Sequence, residues 1–170
     1  MCTAVGWIDE MLKLIGVCAM AAGTLLVCRE LADKRKKRLF LCEEFYRFVS
    51  HIRLQISCFL RPVSELAEGF RSDILSEIGF LPSIAEQGIF GAFESVCERI
   101  SLSEEEKRIL GGLFSSLGTG YMENEIKQID AYSAELYRLL ENERADLPKR
   151  SRLVNTLLTA ASLGIIILLI

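Results

Sequence analysis

Eighteen consecutive residues without a charge, Leu153 to Ile170 (LVNTLLTAASLGIIILLI), stand at the end of the chain. A helix of that length spans about 27 Å, close to the ~30 Å hydrocarbon thickness of a bilayer. Lys149, Arg150 and Arg152 border it on the N-terminal side. A buried core helix of this length would carry a polar stripe. Here only Asn155, Thr156, Thr159 and Ser162 are polar, so the stretch reads as a membrane span over 153–170.

A second apolar run, Met11 to Cys28, carries one charge, Lys13, near its outer end. It spans a bilayer if Met11 and Leu12 enter the interface and Lys13 snorkels outward. The rival reading is a signal peptide. Against it, the preceding region is net acidic, and Arg29-Glu30 stands where small residues should mark a cleavage site. An uncleaved anchor over 11–28 is the expectation, with 1–10 as an N-terminal extension.

The flanking charges orient both segments. Arg29, Lys34, Arg35, Lys36, Lys37 and Arg38 follow the first, and Lys149, Arg150 and Arg152 precede the second. Both basic flanks therefore lie on the side of the central region, 29–152. The positive-inside bias puts that region in the cytoplasm and both termini outside. At head-group level each basic residue is worth about 1 kcal/mol against anionic lipid, so the bilayer itself is an expected partner. From Leu39 to Pro148 there are ten Lys and Arg against nineteen Asp and Glu, a balance of −9. Nucleic-acid binding would want basic charge on that body, which excludes it as a reading. The six cysteines form no CxxC pair and no metal spacing, so reduced thiols facing the cytosol are expected. Cys42, Cys58 and Cys97 should all be reached from the cytoplasmic side alone.

The central region reads as all-α. Leu41, Phe45, Phe48, Ile52, Ile56 and Phe59 recur at spacings of four and three, predicting a long helix that continues out of the first span to about Leu60. Arg61-Pro62 ends it and opens a second helix bearing Val63, Leu66, Ala67 and Phe70. Between Arg71 and Gly88 the pattern is interrupted by Gly79, Pro82 and Gly88, and helical spacing resumes from Ile89 to Ile100. Ser103-Glu-Glu-Glu106 is a capping box opening a helix to Leu117, stopped by Gly118 and Gly120. Met122, Ile126, Ile129, Leu136, Leu140 and Leu147 form a coiled-coil-like seam on a last long helix, with Ser133 in the one polar slot. It should run antiparallel to the first long helix, because both return to one bilayer, and Pro148 should kink it. The expected fold is a helical bundle of two long antiparallel helices with shorter ones between, anchored by N- and C-terminal transmembrane helices.

No catalytic, cofactor-binding or metal-binding constellation is legible, and an enzyme is not expected. His51, the one histidine, lies beside the apolar stripe and reads as packed or surface. Glu104, Glu105 and Glu106 read as a solvated helix start, and Asp130, Glu135 and Glu141 as a solvated face. Gly111-Gly112 lacks the lysine of a phosphate loop and reads as a close-packing site. Small residues recur four apart at Ala19 and Gly23, and at Thr156, Ala160 and Gly164. Such rows let helix backbones approach, either between the two spans or on another protein, a homo-oligomer included.

In order and spacing the chain resembles the stage III sporulation protein AB family of endospore-forming bacteria. The resemblance covers nearly everything from Met11 onward. It rests on the opening Met11-Leu-Lys-Leu-Ile-Gly16, a charged helix after the first span, Ile56 and Pro62, Leu110 with Leu117-Gly118, Lys127-Gln128-Ile129, and a C-terminal span. The chain departs from the usual pattern at Cys58-Phe59, Arg61 and Phe114. The resemblance implies Met11 as the usual start. It also implies a structural component of the channel between mother cell and forespore, in the outer forespore membrane. Such a component looks like a shortened inner-membrane platform protein of type II secretion. By analogy its partners would be a cytoplasmic channel ATPase like stage III sporulation protein AA and other membrane proteins of the same operon. The alternative is a membrane-tethered adaptor or regulator that binds a soluble partner through the acidic body. An intramembrane enzyme would need paired polar catalytic groups, which Asn155, Thr156, Thr159 and Ser162 do not supply.

Overall fold

A computed structural model describes residues 3–59, 67, 69–118 and 122–169, with side chains over 3–14 and most of 147–169 outside the description. Five helices follow in order: α1 (Thr3–Phe59), α2 (Asp73–Glu77), α3 (Phe80–Cys97), α4 (Glu104–Ser116) and α5 (Met122–Leu169). All the described secondary structure is helical. The chain divides into two compact units, Lys36–Arg144 and the terminal segments Met1–Arg35 with Ala145–Ile170.

In the central unit the stripe on α1 does what its spacing predicts. Leu41, Phe45, Phe48, Ile52 and Ile56 are all buried, joined by Cys42 and Val49 on the same face. Each aliphatic or aromatic side chain so buried is worth about 1.5–3 kcal/mol relative to exposure. The helix is described as far as Phe59, and the predicted boundary at Leu60 lies outside the described residues. The second helix expected from Pro62 falls mostly on 60–66 and 68, outside the described residues. Ala67 and Phe70 do pack against the core.

After Phe70 the chain is more helical than its interruptions suggest. Ser72 caps α2 by accepting from the Leu75 amide at 3.2 Å, and Leu75 is fully buried. Helix α3 already starts at Phe80, with Pro82 in its first turn, where a missing N–H costs no hydrogen bond. Gly88, at φ 73° and ψ 174°, interrupts it in a backbone region essentially restricted to glycine. The helical spacing that resumes at Ile89 is the second half of α3.

The capping box of α4 is present in both directions. Glu106 N donates to Ser103 Oγ at 3.2 Å, and Ser103 N donates to Glu106 Oε2 at 2.6 Å. Leu117 caps the other end, and Gly118 turns away at φ +79°. On α5 the seam residues Ile129, Leu136 and Leu140 are buried and Ile126 partly so. Met122 and Leu147 have side chains outside the description. The Ser133 hydroxyl in the polar slot is buried without a hydrogen-bond partner among the described residues. The helix passes through Pro148 without ending.

The two long helices run antiparallel. Arg38, Tyr46 and Arg53 of α1 meet Glu143, Tyr137 and Asp130 of α5, so partner numbers fall as α1 numbers rise. The core centres on rings from three helices. Phe45 and Phe48 of α1, Phe80 and Phe93 of α3 and Phe114 of α4 meet at centroid distances such as 5.1 Å for Phe45–Phe80 and 5.2 Å for Phe93–Phe114. Most of these contacts are edge-to-face, each worth about 0.5–1.5 kcal/mol beyond burial.

The terminal unit consists of the outer stretches of α1 and α5. Among the described residues no helix is long and apolar enough to cross a membrane. The predicted spans over 11–28 and 153–170 are helical in backbone as far as residue 169, residue 170 and many of the side chains lying outside the description.

Candidate functional site

The densest polar arrangement lies at the end of the central unit where α1 enters and α5 leaves. Arg38 stands one turn before Leu41 and Cys42 on the core-facing side of α1. Its Nη2 donates to Glu143 Oε1 on α5 at 2.5 Å, and its Nε lies 3.6 Å from Glu106 Oε2 on α4. The Glu106 carboxylate is 2% exposed. A buried carboxylate survives only with partners. This one has the Ser103 amide and the Arg38 guanidinium. Cys42 is fully buried, and burial first, then the charge of Glu106, push its thiol far above the ordinary range. Beside this cluster, Arg144 of α5 donates through Nε at 2.9 Å and Nη2 at 2.5 Å to Glu43 Oε1 of α1, a hydrogen bond that raises the Arg144 pKa further. The cluster fastens three helices at one end. Its thiol is held protonated, which removes it as a nucleophile.

Elsewhere the polar groups also cross between helices. Arg53 of α1 takes both carboxylate oxygens of Asp130 on α5, the second through Nη2 at 3.1 Å, and holds that carboxyl below its usual range. Arg108 of α4 donates to Glu135 of α5 at 2.9 Å. Asp130 and Glu135 are thus exposed or half-buried members of interhelical pairs. Glu106, read from the sequence as part of a solvated helix start, is buried; only Glu104 and Glu105 are exposed. The sign was present in the spacing. Arg38, Cys42, Phe45 and Val49 share one stripe, so Arg38 had to face the bundle, and a half-buried guanidinium calls for an acid.

The other basic residues after the first apolar run, Arg29, Lys34, Arg35, Lys36 and Lys37, are exposed. Lys34 pairs with Glu30 one turn back at 2.9 Å, which lowers the Glu30 pKa. Lys149, Arg150 and Arg152 have side chains outside the description, as do Ala160 and Gly164. Ala19, Gly23 and Thr156 are exposed, and a Cβ on Gly23 would meet nothing within 4 Å. Gly111 and Gly112 do serve close packing. A Cβ on Gly112 would come 3.0 Å from Tyr132 Oη of α5, and one on Gly111 3.7 Å from the Phe93 ring. His51 is half-buried with its ring 5.4 Å from that of Phe70. Among the described residues no group of three or more His, Cys, Asp or Glu is placed to hold a metal ion.

Two long helices clasped by interhelical ion pairs, with a three-helix aromatic core between them, define an all-α scaffold. The family model described as stage III sporulation protein AB matches residues 13–170, and the chain belongs to that family. A role in stage III of sporulation goes with that membership. No curated protein and no solved structure matches the chain.

Proposed function

We propose that the chain is a membrane-anchored structural component of the channel between mother cell and forespore, built like a type II secretion inner-membrane platform. The family match over residues 13–170 carries this reading. It is supported by the two apolar terminal runs and by basic flanks on the domain side of both. The central domain sits in the mother-cell cytoplasm, with both termini across the outer forespore membrane. Its work is to hold position between a cytoplasmic ATPase like stage III sporulation protein AA and membrane proteins of the same operon. A platform needs stiff helices rather than an active site, and the protein is not an enzyme in this reading.

Two measurements test it. A membrane-impermeant maleimide should reach Cys58, which is exposed, from the cytoplasmic side alone. Cys42 cannot report, because it is buried, so the expectation that three cysteines would share one labelling pattern is corrected to Cys58 and the half-buried Cys97. Purification from cells during engulfment should bring the channel ATPase along. Recovery of an unrelated soluble protein in its place would favour the tethered adaptor, which draws on the −9 balance of the body.

A further inference from the structure

The stretch of α1 just before Arg38, residues 29–37, carries five basic side chains, Arg29, Lys34, Arg35, Lys36 and Lys37, against Glu30 and Asp33, a balance of +3. Every residue of the stretch is exposed. A helix with no buried face is held by the elements it continues, not by packing of its own. Its charges are therefore not spent on a core. Arg38 marks the change: it turns into the central unit against Glu106 and Glu143, with 26% of its side chain exposed. Lys34, although paired with Glu30, keeps 69%.

The exposed cations point to all sides. Lys34, Arg35, Lys36 and Lys37 are successive positions and complete one turn of about 3.6 residues, so their side chains leave the helix in every direction. Arg29 lies two turns before Lys36 and repeats its side. A helix that docks on a protein offers one face to it. A full ring of cations fits instead a layer that surrounds the helix. The apolar run Met11 to Cys28 ends directly before Arg29, so the layer at this level is the head-group region of the bilayer. Attraction between basic side chains and anionic lipid acts there and fades within a Debye length of about 10 Å.

We infer that Arg29, Lys34, Arg35, Lys36 and Lys37 form a ring that selects anionic phospholipids by their head groups, and that Arg38 is not part of it. The bilayer itself comes from the function proposed above, on which this inference rests. What the ring adds is the class of lipid and the residues that choose it, one fewer than the basic flank counted along the sequence.

The test reconstitutes the full chain in vesicles of equal phosphatidylglycerol and phosphatidylcholine, extracts it in uncharged detergent and measures the lipids that stay bound. Phosphatidylglycerol should be enriched. Arg29→Gln with Lys36→Gln, and Lys34→Gln with Lys37→Gln, remove charge from different sides of the helix. Each pair should lower the enrichment, by up to roughly fivefold per charge, and all four changes together should abolish it without shifting thermal unfolding. Arg38→Gln should lower the unfolding temperature and leave the enrichment intact, and Lys127→Gln, at an exposed position on α5, should change neither. Equal retention of the two lipids, or enrichment that survives all four changes, overturns the inference. Loss confined to one pair also overturns it, because a one-sided site fits an acidic protein segment and not a leaflet. Stripping of phosphatidylglycerol by inorganic phosphate beyond that by sodium chloride of the same ionic strength overturns it too, by making the ligand a free phosphate. A chain that retains neither lipid would sink the membrane reading itself, which the labelling of Cys58 checks independently.

Discussion

Glu106 closes the cap of its own helix and, through the same oxygen, faces Arg38 of α1 at 3.6 Å, so the start of α4 and the first turn of the central unit stand or fall together. Removing either partner does more than delete an ion pair.

Glu106→Ala should therefore be costlier than Ser103→Ala. The serine change removes a cap worth ~1 kcal/mol. The glutamate change also removes one of the two carboxylates that face Arg38, which keeps Glu143. A loss of about 2–3 kcal/mol is expected. Urea unfolding of the two variants side by side checks the order; equal costs would show that the Arg38 contact contributes nothing.

The Cys42 thiol should make stability fall in alkaline solution. Its folded pKa is raised, so the native state keeps a proton that the unfolded chain sheds above ~8.5. The contribution is fully present below that pH and shrinks above it by up to about 1.4 kcal/mol per pH unit. Wild type should lose stability faster than Cys42→Ala between pH 8 and pH 10, taking those as roughly one unit either side of the ordinary thiol range. Parallel losses in the two proteins would refute the buried-thiol account.

Adjacent glycines on α4 should respond differently. Gly111→Ala places its Cβ at an ordinary 3.7 Å from Phe93 and should stabilise by about 0.5–1 kcal/mol, because glycine weakens a helix. Gly112→Ala meets Tyr132 Oη at 3.0 Å and should gain less or lose. Repeating Gly112→Ala in a Tyr132→Phe background should recover part of the difference. Identical shifts at both glycines would mean that α4 and α5 do not approach as described.

Phe45 touches Phe80, Phe93 and Phe114 and is fully buried. Phe45→Ala should cost about 3–5 kcal/mol, and Phe45→Leu markedly less. Thermal melting of the two variants reads the ratio directly.

What was legible before any coordinates followed from periodicity and local chemistry. The α1 stripe, the α5 seam and the Ser103 cap each rest on residues within a turn or two of one another, and each is found. The α2 helix and the early start of α3 were hidden, since Gly79 only separates the two helices as the N-cap of α3, and Pro82 falls in a first turn that it does not break. The polar cluster was half visible. Arg38 lay on the core stripe, but its partners come from Glu106 and Glu143, and sequence pattern does not pair residues that far apart. The same distance separates Arg53 from Asp130, which made Asp130 look merely solvated.

Gly88 shows that crowding and tolerance are different quantities. The position is exposed, and a methyl group added there would touch nothing within 4 Å, so a survey by surface area would pass it as freely replaceable. Its backbone angles forbid that, because any other residue would have to unbend the elbow between the two arms of α3. One arm carries Phe80 and the other Phe93, so straightening the elbow would pull apart the rings on which the whole domain closes.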